Sequence, residues 1–176
     1  DEHGRLIAQT SADGSRTEYE YTTAGKLVKV IDADGSEKSF TVDGNGFNTS
    51  ESDWLGNITA YERNVQNQIT KVTDPMGNET RYSYDDRGNM VVTTDANGNK
   101  VSYTYDAAGR MISMTDGEGN TWSYTYDNES RMTSVTDPLG GVASTAYDEV
   151  GRTSSTTDAN GATPRYTYDG LGNTTA

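Results

Sequence analysis

Glycine returns every 21 residues along this chain, and no other feature limits its fold so tightly. One column runs Gly14, Gly35, Gly56, Gly77, Gly98, Gly119, Gly140 and Gly161, without insertion or deletion. A second runs Gly4, Gly25, Gly46, Asn67, Gly88, Gly109, Ser130, Gly151 and Gly172. Self-similarity at a fixed period marks a repeat architecture. Glycine held at one phase marks a backbone position with positive φ. Asn67 and Ser130 are then expected to adopt positive φ themselves, Asn67 easily and Ser130 with some strain.

Between the glycines the residues alternate with a period of two. In Lys100-Val101-Ser102-Tyr103-Thr104-Tyr105, the residues Val101, Tyr103 and Tyr105 share one face of a strand and Lys100, Ser102 and Thr104 the other. The next segment, Met111 to Thr115, is also strand-like, but its recurring apolar positions sit three apart, as in Leu27 and Val30, Ile69 and Val72, or Met132 and Val135. A β-bulge or a strong twist reconciles that spacing with a strand. A helix also fits it, but five residues between turns are too few for a helix to stand alone. Asp32-Ala-Asp-Gly35, Asp74-Pro-Met-Gly77 and Asp106-Ala-Ala-Gly109 each fit a type I turn opened by Asp and closed by Gly. The chain is therefore expected to be all-β: about eight antiparallel hairpins of 21 residues, one repeat array over residues 1–176, coiling into a ribbon because strands twist. Asp1 and Ala176 fall part-way through a repeat, so we expect a segment of a longer chain.

The aromatic residues form two ladders: Tyr19, Phe40, Tyr61, Tyr82, Tyr103, Tyr124 and Tyr166, and Tyr21, Tyr84, Tyr105, Tyr126, Tyr147 and Tyr168. The first lapses at Thr145 and the second at Val42 and Arg63, which singles out residues 43–64 and 127–148 as weak or specialised. A ladder that runs through every hairpin reads as packing rather than a local ligand site. The expected structural residues are thus Tyr82, Tyr84, Tyr103, Tyr105, Tyr124, Tyr126, Tyr166 and Tyr168. With them go the turn glycines Gly35, Gly77, Gly98, Gly140 and Gly161, and Gly88, Gly109 and Gly151. Trp54 and Trp122 are read as strand residues that pack.

Charge and composition narrow the function. A net charge of -13 repels phosphate backbones and anionic lipids, so nucleic acid is not expected as a partner. There is no cysteine for a disulfide, a thiolate nucleophile or a zinc site, and no apolar run spans a bilayer. His3, the one histidine, has no catalytic context. Asp32-Ala-Asp34-Gly35 begins like a calcium loop, but Val42 and Asp43 stand where the closing bidentate Glu belongs. Asp74-Pro75 and Asp137-Pro138 occupy the ordinary turn phase and are read as turns. No catalytic, cofactor or metal site is expected, and the chain is read as non-enzymatic.

The stretches Tyr82-Ser-Tyr-Asp-Asp-Arg-Gly88-Asn, Tyr103-Thr-Tyr-Asp-Ala-Ala-Gly109-Arg and Tyr124-Thr-Tyr-Asp-Asn-Glu-Ser130-Arg resemble the YD repeats of Rhs proteins, wall-associated polymorphic toxins, toxin-complex shell proteins and teneurins. The resemblance runs the length of the chain. It implies a β-ribbon spiralling into a hollow shell that encloses a C-terminal toxin domain in a secreted bacterial protein. Its partners would then be neighbouring repeats and the enclosed domain. The alternative from another class is an extracellular carbohydrate-binding or adhesion module, for which exposed aromatic clefts at a fixed interval would speak.

Overall fold

The computed structural model describes residues 1–175. It is all-β: fifteen antiparallel strands in one open sheet, ordered as in the chain, with no helix among the described residues. Two units make up the chain. The first comprises Asp1–Ser83 with Thr94–Asn97, and the second Tyr84–Thr93 with the described residues from Gly98 onward.

The first unit contains β1 (Ala8–Thr10), β2 (Arg16–Tyr21), β3 (Leu27–Ile31), β4 (Glu37–Val42), β5 (Asn48–Ser52), β6 (Ile58–Arg63), β7 (Ile69–Thr73) and most of β8 (Glu79–Tyr84). The second contains most of β9 (Met90–Thr94), then β10 (Lys100–Tyr105), β11 (Met111–Thr115), β12 (Thr121–Tyr126), β13 (Met132–Thr136), β14 (Val142–Tyr147) and β15 (Thr153–Thr157). Beyond β15 the chain continues in single bridges, Ser155 with Arg165 and Tyr168 with Thr174.

Both glycine columns close the same kind of turn. The Gly35 N–H donates to the Asp32 carbonyl at 2.9 Å and the Asp32 N–H to the Ser36 carbonyl at 2.9 Å, with Gly35 at φ 84. At the other column Gly109 N–H donates to Asp106 O at 3.1 Å and Asp106 N–H to Arg110 O at 2.9 Å, with φ 79 at Gly109. This is a type I turn followed by a left-handed residue, the three-residue hairpin loop that carries a G1 bulge. Asn67 and Ser130 hold that position at φ 65 each, as their columns predict.

The three-residue apolar spacing has its cause in a second bulge. Tyr103 pairs with Met114 and Thr104 with Ser113, but Tyr105 pairs with Met111, so Ile112 is the extra residue. The same shift places Tyr19 and Tyr21 opposite Val30 and Leu27, Tyr61 and Arg63 opposite Val72 and Ile69, and Tyr124 and Tyr126 opposite Val135 and Met132. Directly paired residues share a face. The bulge therefore keeps each aromatic pair and each apolar pair on one side of the sheet. Trp122 joins them, opposite Met114. Trp54 does not. It lies in the turn closed by Gly56 N–H on Asp53 O, and is 44% exposed. The expectation of a strand position failed because the repeat phase of Trp54 falls two residues past β5.

This sheet has no interior: among the described residues no hydrophobic side chain is buried, and the sole buried polar one is Ser52. One sheet face can bury apolar surface only against another layer.

Candidate functional site

The arrangement that recurs along both units is a clamp built from the Tyr-x-Tyr-Asp-x-x-Gly-Arg stretch. It starts with the turn aspartate. Asp106 Oδ1 accepts the N–H groups of Ala108 at 2.9 Å and Arg110 at 3.0 Å, and Oδ2 accepts Arg110 Nε at 2.7 Å. The Arg110 N–H is the largest of the interactions that hold the Asp106 carboxyl below the usual carboxylate range. Where asparagine stands four residues on, as at Asp85 with Asn89, its amide binds the same Oδ2 at 2.9 Å and lowers that carboxyl in the same way. Thr22 and Asn64 hold the same position with one side-chain acceptor each, whereas Asp offers two ionised oxygens, one for the turn N–H groups and one for the residue four on.

The arginine then reaches into the following hairpin. Arg110 lies over the Tyr126 ring at 4.9 Å and donates Nη1 to the Asp127 carbonyl at 2.8 Å. Arg5 does the same to Tyr21 at 5.1 Å and to Thr22 O at 3.0 Å. Arg131 covers Tyr147 at 4.6 Å and Arg152 covers Tyr168 at 4.4 Å. At Arg5 and Arg110 the contact combines a cation over a ring face with a charge-assisted hydrogen bond to the next turn. Asn89 is too short to reach, and Arg87 supplies the link instead, its Nη1 donating to Ala107 O at 3.2 Å.

The second tyrosine ladder closes the clamp from the other side. The hydroxyl of Tyr105 donates to Met90 O at 2.8 Å, Tyr126 to Met111 O at 2.8 Å, Tyr147 to Met132 O at 2.8 Å and Tyr168 to Thr153 O at 2.7 Å. Tyr21 makes the same bond to Leu6 O at 2.9 Å. Each acceptor lies fifteen residues upstream, beside the preceding turn. Arg63, one of the two lapses in this ladder, keeps the bond by donating Nε to Asn48 O at 3.4 Å. Val42, the other, has no donor to offer.

Tyr61, Tyr103 and Tyr124 stand half-buried beside Val72, Met114 and Val135. Tyr61 also donates to Glu51 Oε1 at 2.8 Å, and its hydroxyl pKa is pushed up, first by burial and then by that carboxylate. Of the tyrosines marked from sequence, Tyr103, Tyr105, Tyr124 and Tyr126 fall together on one face of the second unit. Tyr166 and Tyr168 lie beyond β15, where Tyr166 N–H bonds Ser154 O at 2.9 Å. Tyr82 and Tyr84 belong to β8. The marked glycines Gly35, Gly77, Gly98, Gly140, Gly161, Gly88, Gly109 and Gly151 all have positive φ. The inter-hairpin reach of the arginines escaped the sequence reading. The column Arg5, Lys26, Arg110, Arg131 and Arg152 was there to be seen, but sequence shows the pairing within a turn more readily than the one between turns.

No group of side chains among the described residues is arranged to hold a metal ion. Nor is any helix among them long and apolar enough to cross a membrane.

The RHS Repeat family model matches residues 1–37, 63–100, 92–121, 105–142 and 147–176. The chain belongs to the RHS repeat family. No curated protein matches it. Among solved structures, the crystal structure of TcdB2-TccC3-Cdc42 is similar at 18% identity and a TM-score of 0.66, over 98% of this chain and 12% of that one. The Photorhabdus luminescens Tc holotoxin pore carrying a TccC3 mutation gives 18% identity and a TM-score of 0.61, over 99% of this chain and 13% of that one. TcdB2-TccC3 without its hypervariable C-terminal region gives 19% and 0.63, over 97% and 12%. These Rhs repeats thus share the fold of a stretch of the Tc toxin proteins and span about an eighth of their length.

Proposed function

We propose that this RHS repeat chain is a wall segment of a shell that encloses a C-terminal toxin domain of a secreted bacterial protein, and that its role is structural rather than enzymatic. The observation that carries the reading is the sheet's one-sided character. Tyr103, Tyr105, Trp122, Tyr124 and Tyr126 share a face with Met111, Met114, Met132 and Val135, and no hydrophobic residue among those described is buried. Such a face gains stability only when another layer covers it. In a shell, that layer is the enclosed polypeptide or a neighbouring turn of the wall. Methionines suit an irregular cover because their side chains adapt to varied shapes. The clamp adds a second support. Where a hairpin grips the next through Arg, Tyr and Asp, as at Arg5, Arg110, Arg131 and Arg152, the wall holds together without a core of its own.

The test uses the longer protein that carries this segment. Limited proteolysis should leave its C-terminal domain intact, and a Tyr103→Arg, Tyr124→Arg double variant, which charges the covered face, should make that domain cleavable. Equal cleavage of the C-terminal domain in both proteins would overturn the reading. So would a well-folded, strictly monomeric isolated segment with immobile tyrosines in near-UV circular dichroism, because its aromatic face would then need no cover.

A further inference from the structure

In the turn opened by Asp43 the position four residues on, which carries arginine, lysine, glutamine or asparagine in the equivalent turns, is an apolar ring. Asp1, Asp106, Asp127 and Asp148 have their Oδ2 or its neighbour bound by the arginine four residues on, and Asp85 and Asp169 by an asparagine. In the turn opened by Asp43 that position is Phe47. Asp43 Oδ1 still accepts the N–H groups of Asn45 at 2.9 Å and Phe47 at 3.0 Å, but Oδ2 has no partner among the described residues. Sixteen residues further, where the other clamps place a tyrosine under the arginine, stands Arg63. Aromatic and cation have exchanged places. Between them opens a groove of about 460 Å³, lined by Asp43, Phe47, Tyr61, Arg63, Asn64 and Asn67 among others. Asn67 Oδ1 is shut off from solvent without a hydrogen-bond partner.

We propose that this groove is a receptor for an arginine side chain presented by a second polypeptide, which fills in trans the slot that Arg5, Arg110, Arg131 and Arg152 fill in cis. Two of the three contacts of the native clamp are in place: the open Asp43 Oδ2, and the Asn64 carbonyl, which occupies the column of the Asp127 carbonyl that Arg110 reaches. The wall of Phe47 offers a ring to the guanidinium plane. Asp43 Oδ2 and Asn67 Oδ1 are both acceptors, and guanidinium carries donors only. The chain's charge of -13 favours a cationic partner at long range. Arg63 opposes it. That guanidinium is anchored to Asn48 O at 3.4 Å and Asn67 O at 3.2 Å, and it makes no ion pair among the described residues, so it repels an incoming arginine. The opposition makes the proposal testable in both directions, because removing Arg63 must strengthen binding.

The experiment is an NMR titration of the longer protein that carries this segment, isotope-labelled over these repeats, with N-acetyl-Gly-Arg-Gly-amide, following the Phe47 amide and the side-chain amides of Asn64 and Asn67. We expect saturable shifts at these groups, and at least a tenfold weaker effect from the citrulline peptide, which keeps the shape and loses the charge. Arg63→Tyr should bind about threefold or more tighter, since it restores the tyrosine and removes the like charge. Phe47→Arg with Arg63→Tyr writes the native clamp into this turn, so it should fold as well as the parent and lose binding. Asn67→Gly, which installs the column's own glycine, should also fold and should weaken binding. No saturation with the parent chain, equal response to citrulline, or full binding by the Phe47→Arg, Arg63→Tyr variant would each overturn the proposal.

Discussion

The two units carry the same hairpins and the same aromatic face, yet their opposite faces are built from different chemistry. In the first unit the face away from the tyrosines is ionic. Lys29 pairs with Glu37 at 3.1 Å, Lys71 bridges Glu62 and Glu79, and Arg81 and Arg16 bind Glu79 and Glu18. In strands β10 to β13 the corresponding positions are Ser102, Thr104, Ser113, Thr115, Thr121, Ser123, Thr125, Ser134 and Thr136, with Lys100 as the single charge on that face of these strands. Their hydroxyls pair across strands, Thr104 with Ser113 at 2.6 Å, Thr115 with Thr121 at 2.8 Å and Thr125 with Ser134 at 2.6 Å. The difference shows that the repeat constrains one face and the turns, and leaves the other face free to use any cross-strand pair that tolerates water.

The sharpest way to break the comparison is to strike what both units share. Tyr126→Ala should cost about 2–3 kcal/mol, because it removes the latch to Met111 O and the ring under Arg110 together. Tyr126→Phe keeps the ring and should cost about 1 kcal/mol. Chemical denaturation followed by tyrosine fluorescence measures both. If the two substitutions cost the same, the latch and not the ring would be the main contribution of the second ladder.

Acid should act on both units alike. The carboxyls of Asp34, Asp53 and Asp74 in the first unit, and of Asp85, Asp106 and Asp116 in the second, all lie below their ordinary value of 3.8. A lowered folded-state pKa gives stabilisation that is complete above the unfolded value and is lost as pH falls through the folded one. Hydrogen exchange should therefore report turns that hold at pH 5 and open together below about pH 4. Opening confined to one unit would break the equivalence of the turns.

Replacing the two irregular turn residues sharpens the comparison at a smaller scale. Ser130→Gly in the second unit should stabilise by about 0.5–1 kcal/mol, and Asn67→Gly in the first by less, because asparagine already tolerates positive φ. Thermal melts of the two variants check the order. A loss of stability at Ser130→Gly would mean that its hydroxyl, which accepts from Arg110 at 3.3 Å, outweighs the backbone strain.

The smallest effect separates the two outer faces. Raising NaCl from 0.05 to about 1 M shortens the screening length from above 10 Å to about 3 Å. Amide exchange near Lys71 and Lys29 should speed up, while exchange near Ser123 and Ser134 should not. In the same first-unit face the Lys29 and Lys71 ammonium groups are held above their ordinary 10.5, Lys29 by Glu37 and Lys71 chiefly by Glu62 and then Glu79. That stabilisation is complete below 10.5 and lost as pH rises through the folded value, a response the hydroxyl face does not share.

The sequence by itself determined the hairpins, the turns and the faces of the strands. Glycine at a fixed interval demands positive φ at a fixed place, Asp opens a turn by local hydrogen bonds, and alternation assigns side chains to faces. All three act within a few residues of one another, so Asn67 and Ser130 could be expected at positive φ, and apolar spacing narrowed the segment from Met111 to Thr115 to a bulge or a strong twist, of which the pairing shows the bulge, at Ile112. The tertiary structure decided what crosses from one hairpin to the next. That Arg110 reaches Tyr126 and the Asp127 carbonyl, that Arg63 keeps a tyrosine's hydrogen bond, and that Trp54 falls in a turn all depend on where the bulge and the twist bring side chains many residues apart. So does the groove at Phe47, because a missing arginine becomes a cavity only when the neighbouring turn stands beside it.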